Sequence, residues 1–211
     1  MVANLILALA TLTIGDLHSS NCAAAPAQVQ VRTAPLHIQL QIVPAVPVTE
    51  KLVRTIVSTA AAIWAPYNVH LAPVSTPSGS EMDGGIWLTL VLGYPPARSA
   101  EPGLASLLFT ADGPGTVLYA SLDRARSLVQ SVERGTPVLA AQADWLAAVL
   151  LGRAVAHELG HYLLRSREHA KTGLMRAAFS PRDASNAPRF FRLLPGQVAA
   201  LASTCEMIAG R

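Results

Sequence analysis

Cysteine is nearly absent from this chain: its 211 residues hold two, Cys22 and Cys205, so no disulfide framework supports the fold. Charge is scarce as well. Charged residues make up 14% of the sequence and aromatics 5%, with a net charge of +3. No run of Lys and Arg and no basic stretch interleaved with aromatics is there to track a phosphate backbone, so nucleic acid is excluded as a partner. The basic excess reads first as solvated surface and second as attraction for an acidic substrate. The stretch TADGPGT (110–116) has glycines but lacks the Lys-Ser/Thr that follows in a phosphate loop, and reads as a turn. There is no D-x-[DN]-x-[DN]-G calcium loop. No Ser-His-Asp or Cys-His grouping follows from spacing, and no internal repeat or low-complexity linker interrupts the chain. What the sequence does have is apolar content, 51% of 211 residues, enough for one sizeable core.

Part of that apolar content lies at the N-terminus. LILALATLTIG (Leu5 to Gly15) has the length of a signal-peptide core, and the small residues of CAAAPA suit cleavage near Ala25 or Ala27, although Met1 to Asn4 carry no Lys or Arg. The run is shorter than the ~20 apolar residues of a bilayer span. The SSN before Cys22 does not form a lipid-attachment box. The expectation is a signal peptide over 1–27 and one catalytic domain over 28–211, secreted or periplasmic, monomeric and without a membrane span. Retention of the leader would permit a Cys22 to Cys205 disulfide, and cleavage would leave Cys205 alone.

Downstream, Leu36, Ile38, Leu40 and Ile42 alternate with His37, Gln39 and Gln41 in the period of a half-buried strand. Thr49 follows Pro44 and Pro47 as an N-cap for EKLVRTIVSTAAAIWA, which Pro66 stops. NVHLAPV, GIWLTLVLG, ASLLF and TVLYASL read as four more strands, the last two flanking the turn TADGPG. Asp123 is placed to cap RARSLVQSVERG, and the longest helix runs from Val138 to Leu164. Gln142, Asp144 and Arg153 within it exclude a membrane span. An irregular stretch then leads to a closing helix from Pro195. The order is β-α-β-β-β-β-α-α, then a loop and α.

The long helix ends in HELGH, residues 157–161. Residues four apart share a helical face, so His157 and His161 can present imidazoles to one ion. Zinc suits two imidazoles at ~2.0–2.1 Å, and a catalytic zinc needs a third protein ligand and an open position for water. Glu158 stands about 100° round the helix, where it reaches that water rather than the metal. It is the expected general base, taking a proton from water and passing it to the leaving amine. His169 follows eight residues after His161, so the chain must leave the helix and fold back for it to ligate.

These residues resemble the metzincin clan of zinc endopeptidases, whose signature H-E-x-x-H-x-x-G-x-x-H is followed by a methionine turn. The resemblance covers about Ala156 to Arg176 and implies His157, His161 and His169 as zinc ligands, Glu158 as base and Met175 in TGLMR as the Met-turn residue. Leu164 holds the glycine position and Arg167 the strict third-histidine position, so His169 acts through a loop two residues longer, with Ser166 the most permissive residue for the turn. The implied fold is α+β, a small twisted mixed sheet with packed helices. The implied activity is cleavage of a peptide or protein substrate aligned by strand addition on TVLYASL or GIWLTLVLG.

Two alternatives stay open. A carboxylate third ligand, as in the gluzincin clan, would come from Glu168 or Glu206, and a non-catalytic zinc-binding protein would leave Glu158 without a use. His37 and His70 read as surface residues of strands and His18 as part of the leader. Gly152, Ala156 and Gly160 form a small-residue stripe suited to close packing against the sheet or the Met-turn. Cys205 reads as a small buried residue.

Overall fold

The computed structural model describes residues 35–74, 85–93, 103–132 and 140–209. The expected leader, with His18 and Cys22, lies outside them, as do the loop at 75–84 and the Gly-Thr-Pro break before the long helix.

The alternating segment forms β1 (Leu36–Pro44), with Leu36, Ile38 and Leu40 buried and His37 exposed. Thr49 caps α1 (Glu50–Trp64) by accepting the Leu52 N–H at 3.3 Å, one of the orphan donors that a helix start leaves unpaired. Pro66 ends it in a 3-10 turn, and β2 (Val69–Val74) returns parallel to β1. On the other side of β1 lies β3 (Ile86–Leu92), also parallel. A hairpin of β4 (Ala105–Thr110) and β5 (Gly113–Ala120) completes the sheet, with β5 parallel to β3 and β4 antiparallel to β5. The order β2-β1-β3-β5-β4 makes a mixed five-stranded sheet in an α+β fold.

Two local expectations need correction. The hairpin turn is shorter than TADGPG, because Gly113 already pairs with Thr110 and Pro114 with Phe109. The cap of α2 (Leu122–Val132) is Ser121, whose Oγ accepts the Arg124 N–H at 3.4 Å, while Asp123 lies inside the first turn.

The long helix α3 (Ala140–Leu164) is buried at every residue from 147 to 157. It is enclosed by α1, α2, the β4–β5 hairpin and the closing helix α4 (Pro195–Ala209), which explains an apolar surface on all sides. No described helix is long and apolar enough to cross a membrane. The small-residue stripe seats α1 rather than the sheet. A Cβ on Gly152 would stand 2.5 Å from the Ile56 carbonyl oxygen and 2.7 Å from Thr59 Cβ. Trp64, fully buried, donates its indole N–H to the Ala156 carbonyl at 3.0 Å, as a buried indole requires. Gly160 makes room for Met175. Sheet and helices share one apolar cluster that reaches Leu201 and Cys205 on α4.

Candidate metal centre

The helical spacing brings His157 and His161 together with ring centroids 4.5 Å apart. His157 Nδ1–H donates to the Leu174 carbonyl at 2.8 Å and His161 Nδ1–H to the Ser166 carbonyl at 2.7 Å. A neutral imidazole that donates through Nδ1 presents a bare lone pair on Nε2. The two Nε2 atoms stand 2.9 Å apart, and His169 Nε2 lies 3.3 Å from that of His161. Acceptor nitrogens at such separations repel one another unless a cation lies between them. A proton is a poor candidate, since burial pushes His157 down to about 4 and also lowers His161. The donor atoms of all three histidines lie within 4.8 Å of one another and can hold a metal ion. Three imidazoles that leave a coordination position open suit zinc.

The chain reaches His169 through a tight helix end. Arg165 takes the left-handed conformation, φ 50°. Its N–H donates to Tyr162 O and that of Ser166 to His161 O, both at 3.3 Å, the paired bonds of a Schellman cap. The turn expected at Ser166 is thus made by Arg165, and its guanidinium donates to the Asp112 carbonyl of the β4–β5 turn at 3.2 Å.

Gly173-Leu174-Met175 braces the centre from below. Gly173 has φ 79° and the Arg192 carbonyl against it, so only glycine fits. The Leu174 carbonyl fixes His157, while that of Met175 accepts the Ala170 N–H at 2.6 Å, beside His169. One short segment therefore holds a histidine of the helix and the neighbour of a histidine on the loop. The Met175 side chain is buried against Gly160.

Glu158 is partly buried beside the histidines and accepts a hydrogen bond from the Leu107 N–H of β4. Desolvation pushes its carboxyl up to about 7. Glu168 and Glu206 are exposed and lie outside the histidine cluster. His37 and His70 stack on each other across β1 and β2, ring centroids 5.3 Å apart, away from the centre.

The histidines open onto a cleft of about 1300 Å³ between β4, one face of α2 and the segment at 177–179. The strand at its edge is β4, ASLLF, since the order of the sheet places both β3 and β5 in the interior. The expectation that TVLYASL or GIWLTLVLG aligns a substrate is therefore corrected.

Sequence reading passed over the support behind the centre. Asp183 forms an ion pair with Arg176 Nη2 at 2.7 Å and accepts the Ser180 N–H at 2.6 Å. Arg153, buried on α3, donates to the Asn186 carbonyl and stacks 4.5 Å over Phe191. Phe179 meets His157 edge-on. A usable signal existed in Ser180-Pro-Arg-Asp183, which has the spacing of a capping box and forms one.

No family profile matches the sequence, and no curated protein matches it. By fold, the chain is similar to a zinc-dependent peptidase from Methanocorpusculum labreanum, with 13% identity over 78% of this chain and 99% of that one and a TM-score of 0.49. It is also similar to archaemetzincin from Methanopyrus kandleri, with 13% identity over 83% and 98% and a TM-score of 0.43. Likeness of this degree carries no chemistry, which has to be read from the side chains of the centre.

Proposed function

We propose that the chain is a zinc-dependent endopeptidase in which His157, His161 and His169 hold the metal, Glu158 is the general base and Met175 is the Met-turn residue. The observation that carries this reading is geometric: three imidazoles whose donor atoms converge within 4.8 Å share a cleft with Glu158, whose carboxyl burial pushes up to about 7 in the metal-free protein. Zinc, when bound, polarises a carbonyl oxygen and lowers the pKa of a coordinated water to about 7. A carboxyl near neutrality is suited both to accept a proton and to return it to a leaving amine, because general acid–base efficiency peaks when the pKa lies near the working pH. A purely structural metal site has no use for such a group.

Substrate alignment is assigned to β4. As an edge strand it offers unpaired backbone groups, and an extended peptide added there would lie across the histidines. The Leu107 N–H that holds Glu158 belongs to this strand, so the base and the docking edge are in register. Export is part of the same proposal and rests on the apolar run from Leu5 to Gly15.

The test is Glu158→Gln in the zinc-loaded protein. Zinc stoichiometry should stay at that of wild type while kcat on a mixed peptide library falls by about 10²–10⁴. An unchanged kcat would remove Glu158 from the mechanism. Absence of cleavage by a wild type that holds zinc would favour a binding protein.

A further inference from the structure

Most cations near the centre are accounted for. Arg153 and Arg176 belong to the buried support, and Arg165 clamps the hairpin turn. Arg167 is different. It lies two residues before His169, is exposed, and lines the cleft. Its guanidinium is 4.7 Å over the ring of Phe109, which in turn meets His161 edge-on with centroids 6.4 Å apart. Among the described residues it makes no hydrogen bond or ion pair.

Stacking on a ring holds a guanidinium in place without using any of its N–H donors. Those donors form a planar fork that matches a carboxylate. Among the described residues that line the cleft, Glu158 is the one carboxylate, and it is engaged with Leu107. The other arginine of the lining, Arg124, donates to the Gly103 carbonyl at 3.0 Å at the opposite end of β4. Phe109 is itself a β4 residue, and a strand advances ~3.4 Å per residue. The fork therefore stands within about three residues of a peptide bond seated at the histidines.

We propose that Arg167, braced on Phe109, is a specificity-determining residue that selects substrates with a carboxylate close to the scissile bond, on the Phe109 side of the cleft. The carboxylate comes from an Asp or Glu side chain or from a free C-terminus. This inference rests on the peptidase reading for its geometry. It also follows from the longer loop: the position that would be a ligand in the strict signature is freed here to face the substrate.

The experiment uses zinc-loaded full-length chain and C-terminally amidated peptides that differ at one position, Asp against Asn. A neutral peptide with a free C-terminus forms a separate arm. Cleavage is followed in wild type, Arg167→Gln and Arg167→Lys, and binding of the same peptides by calorimetry in Glu158→Gln alone and combined with Arg167→Gln. Zinc content checks the fold of each protein. Wild type should prefer Asp over Asn about tenfold or more in kcat/KM, as loss of a charge-assisted fork implies. Arg167→Gln should bring the ratio close to one, and Arg167→Lys should fall between. Preference for the free C-terminus over its amide, lost in the same variant, would place the carboxylate at the chain end. Equal cleavage of Asp and Asn peptides overturns the subsite and leaves the peptidase standing, and an Asp preference that survives Arg167→Gln overturns the role of Arg167. If nothing is cleaved but Asp peptides bind more tightly through Arg167, hydrolysis falls and the subsite holds. Absence of both cleavage and binding overturns both.

Discussion

The three histidines stand on two kinds of support. His157 and His161 belong to a helix that is buried throughout its middle turns, and each has its Nδ1–H fixed by a carbonyl. His169 is exposed on an irregular segment, with its Nε2 3.3 Å from that of His161 and its ring stacked on His157 at 5.2 Å. The helix is a preorganised two-point anchor, and the return segment closes the site. Rotamers locked by packing contribute to binding by removing an ordering cost that a loop residue must still meet. This difference predicts unequal losses of zinc, larger than the effect of any change away from the ligands. His157→Ala or His161→Ala should abolish zinc binding, beyond the ~10–100-fold expected from loss of an outer partner. His169→Ala should weaken binding yet leave it measurable by competition with a chelating dye. Equal loss in all three variants would mean that the loop is as preorganised as the helix.

The same contrast holds for the two glycines beneath the helix. At Gly152 the neighbouring atoms are the backbone and Cβ of α1, which cannot yield without moving a helix. At Gly160 the neighbour is the flexible end of Met175. Gly152→Ala is therefore expected to destabilise by roughly 1–3 kcal/mol through overpacking, offset in part by the ~1 kcal/mol of helix propensity that alanine recovers. Gly160→Ala should leave the melting temperature nearly unchanged and weaken zinc binding, because the segment that Met175 displaces is the one bracing His157. Thermal melts beside metal titrations separate the two. A Gly160→Ala protein that melts low with its zinc affinity intact would break the assignment.

Much of this arrangement could be read from sequence where a local rule decides. Thr49 caps α1 because threonine followed by a periodic apolar face is a local signal, and HELGH predicts its own geometry through the four-residue repeat of the helix. Prediction failed where a distant partner decides. Nothing local tells that Arg165 rather than Ser166 adopts φ 50°, since the arginine is held there by the Asp112 carbonyl 53 residues away in sequence. Strands β3, β4 and β5 have similar patterns, and only the pairing order reveals that β4 is the edge. The Asp183 cluster was missed because its partners, Arg176 and Asn186, lie in a stretch without periodicity.

A further contrast concerns protons, and it separates the histidines from the carboxylate beside them. In the metal-free protein His157 moves from 6.5 when unfolded to about 4 when folded. Burial favours its neutral form, so its contribution to stability is complete above pH 6.5 and is lost as pH falls towards 4, on the order of 3 kcal/mol across that window. His161 shifts in the same direction. Glu158 moves the opposite way, from 4.5 to about 7, so its contribution is complete below pH 4.5 and is lost as pH rises through 7. Between pH 4.5 and 6.5 the two slopes oppose, and the stability of metal-free wild type should fall only gently with acidification. Glu158→Gln removes the opposing slope without changing the histidines. Its stability by urea titration should therefore fall more steeply than that of wild type over the same interval, by an additional amount on the order of 2 kcal/mol. Parallel curves for the two proteins would place the Glu158 carboxyl back in the ordinary range and deprive the proposed base of its tuning.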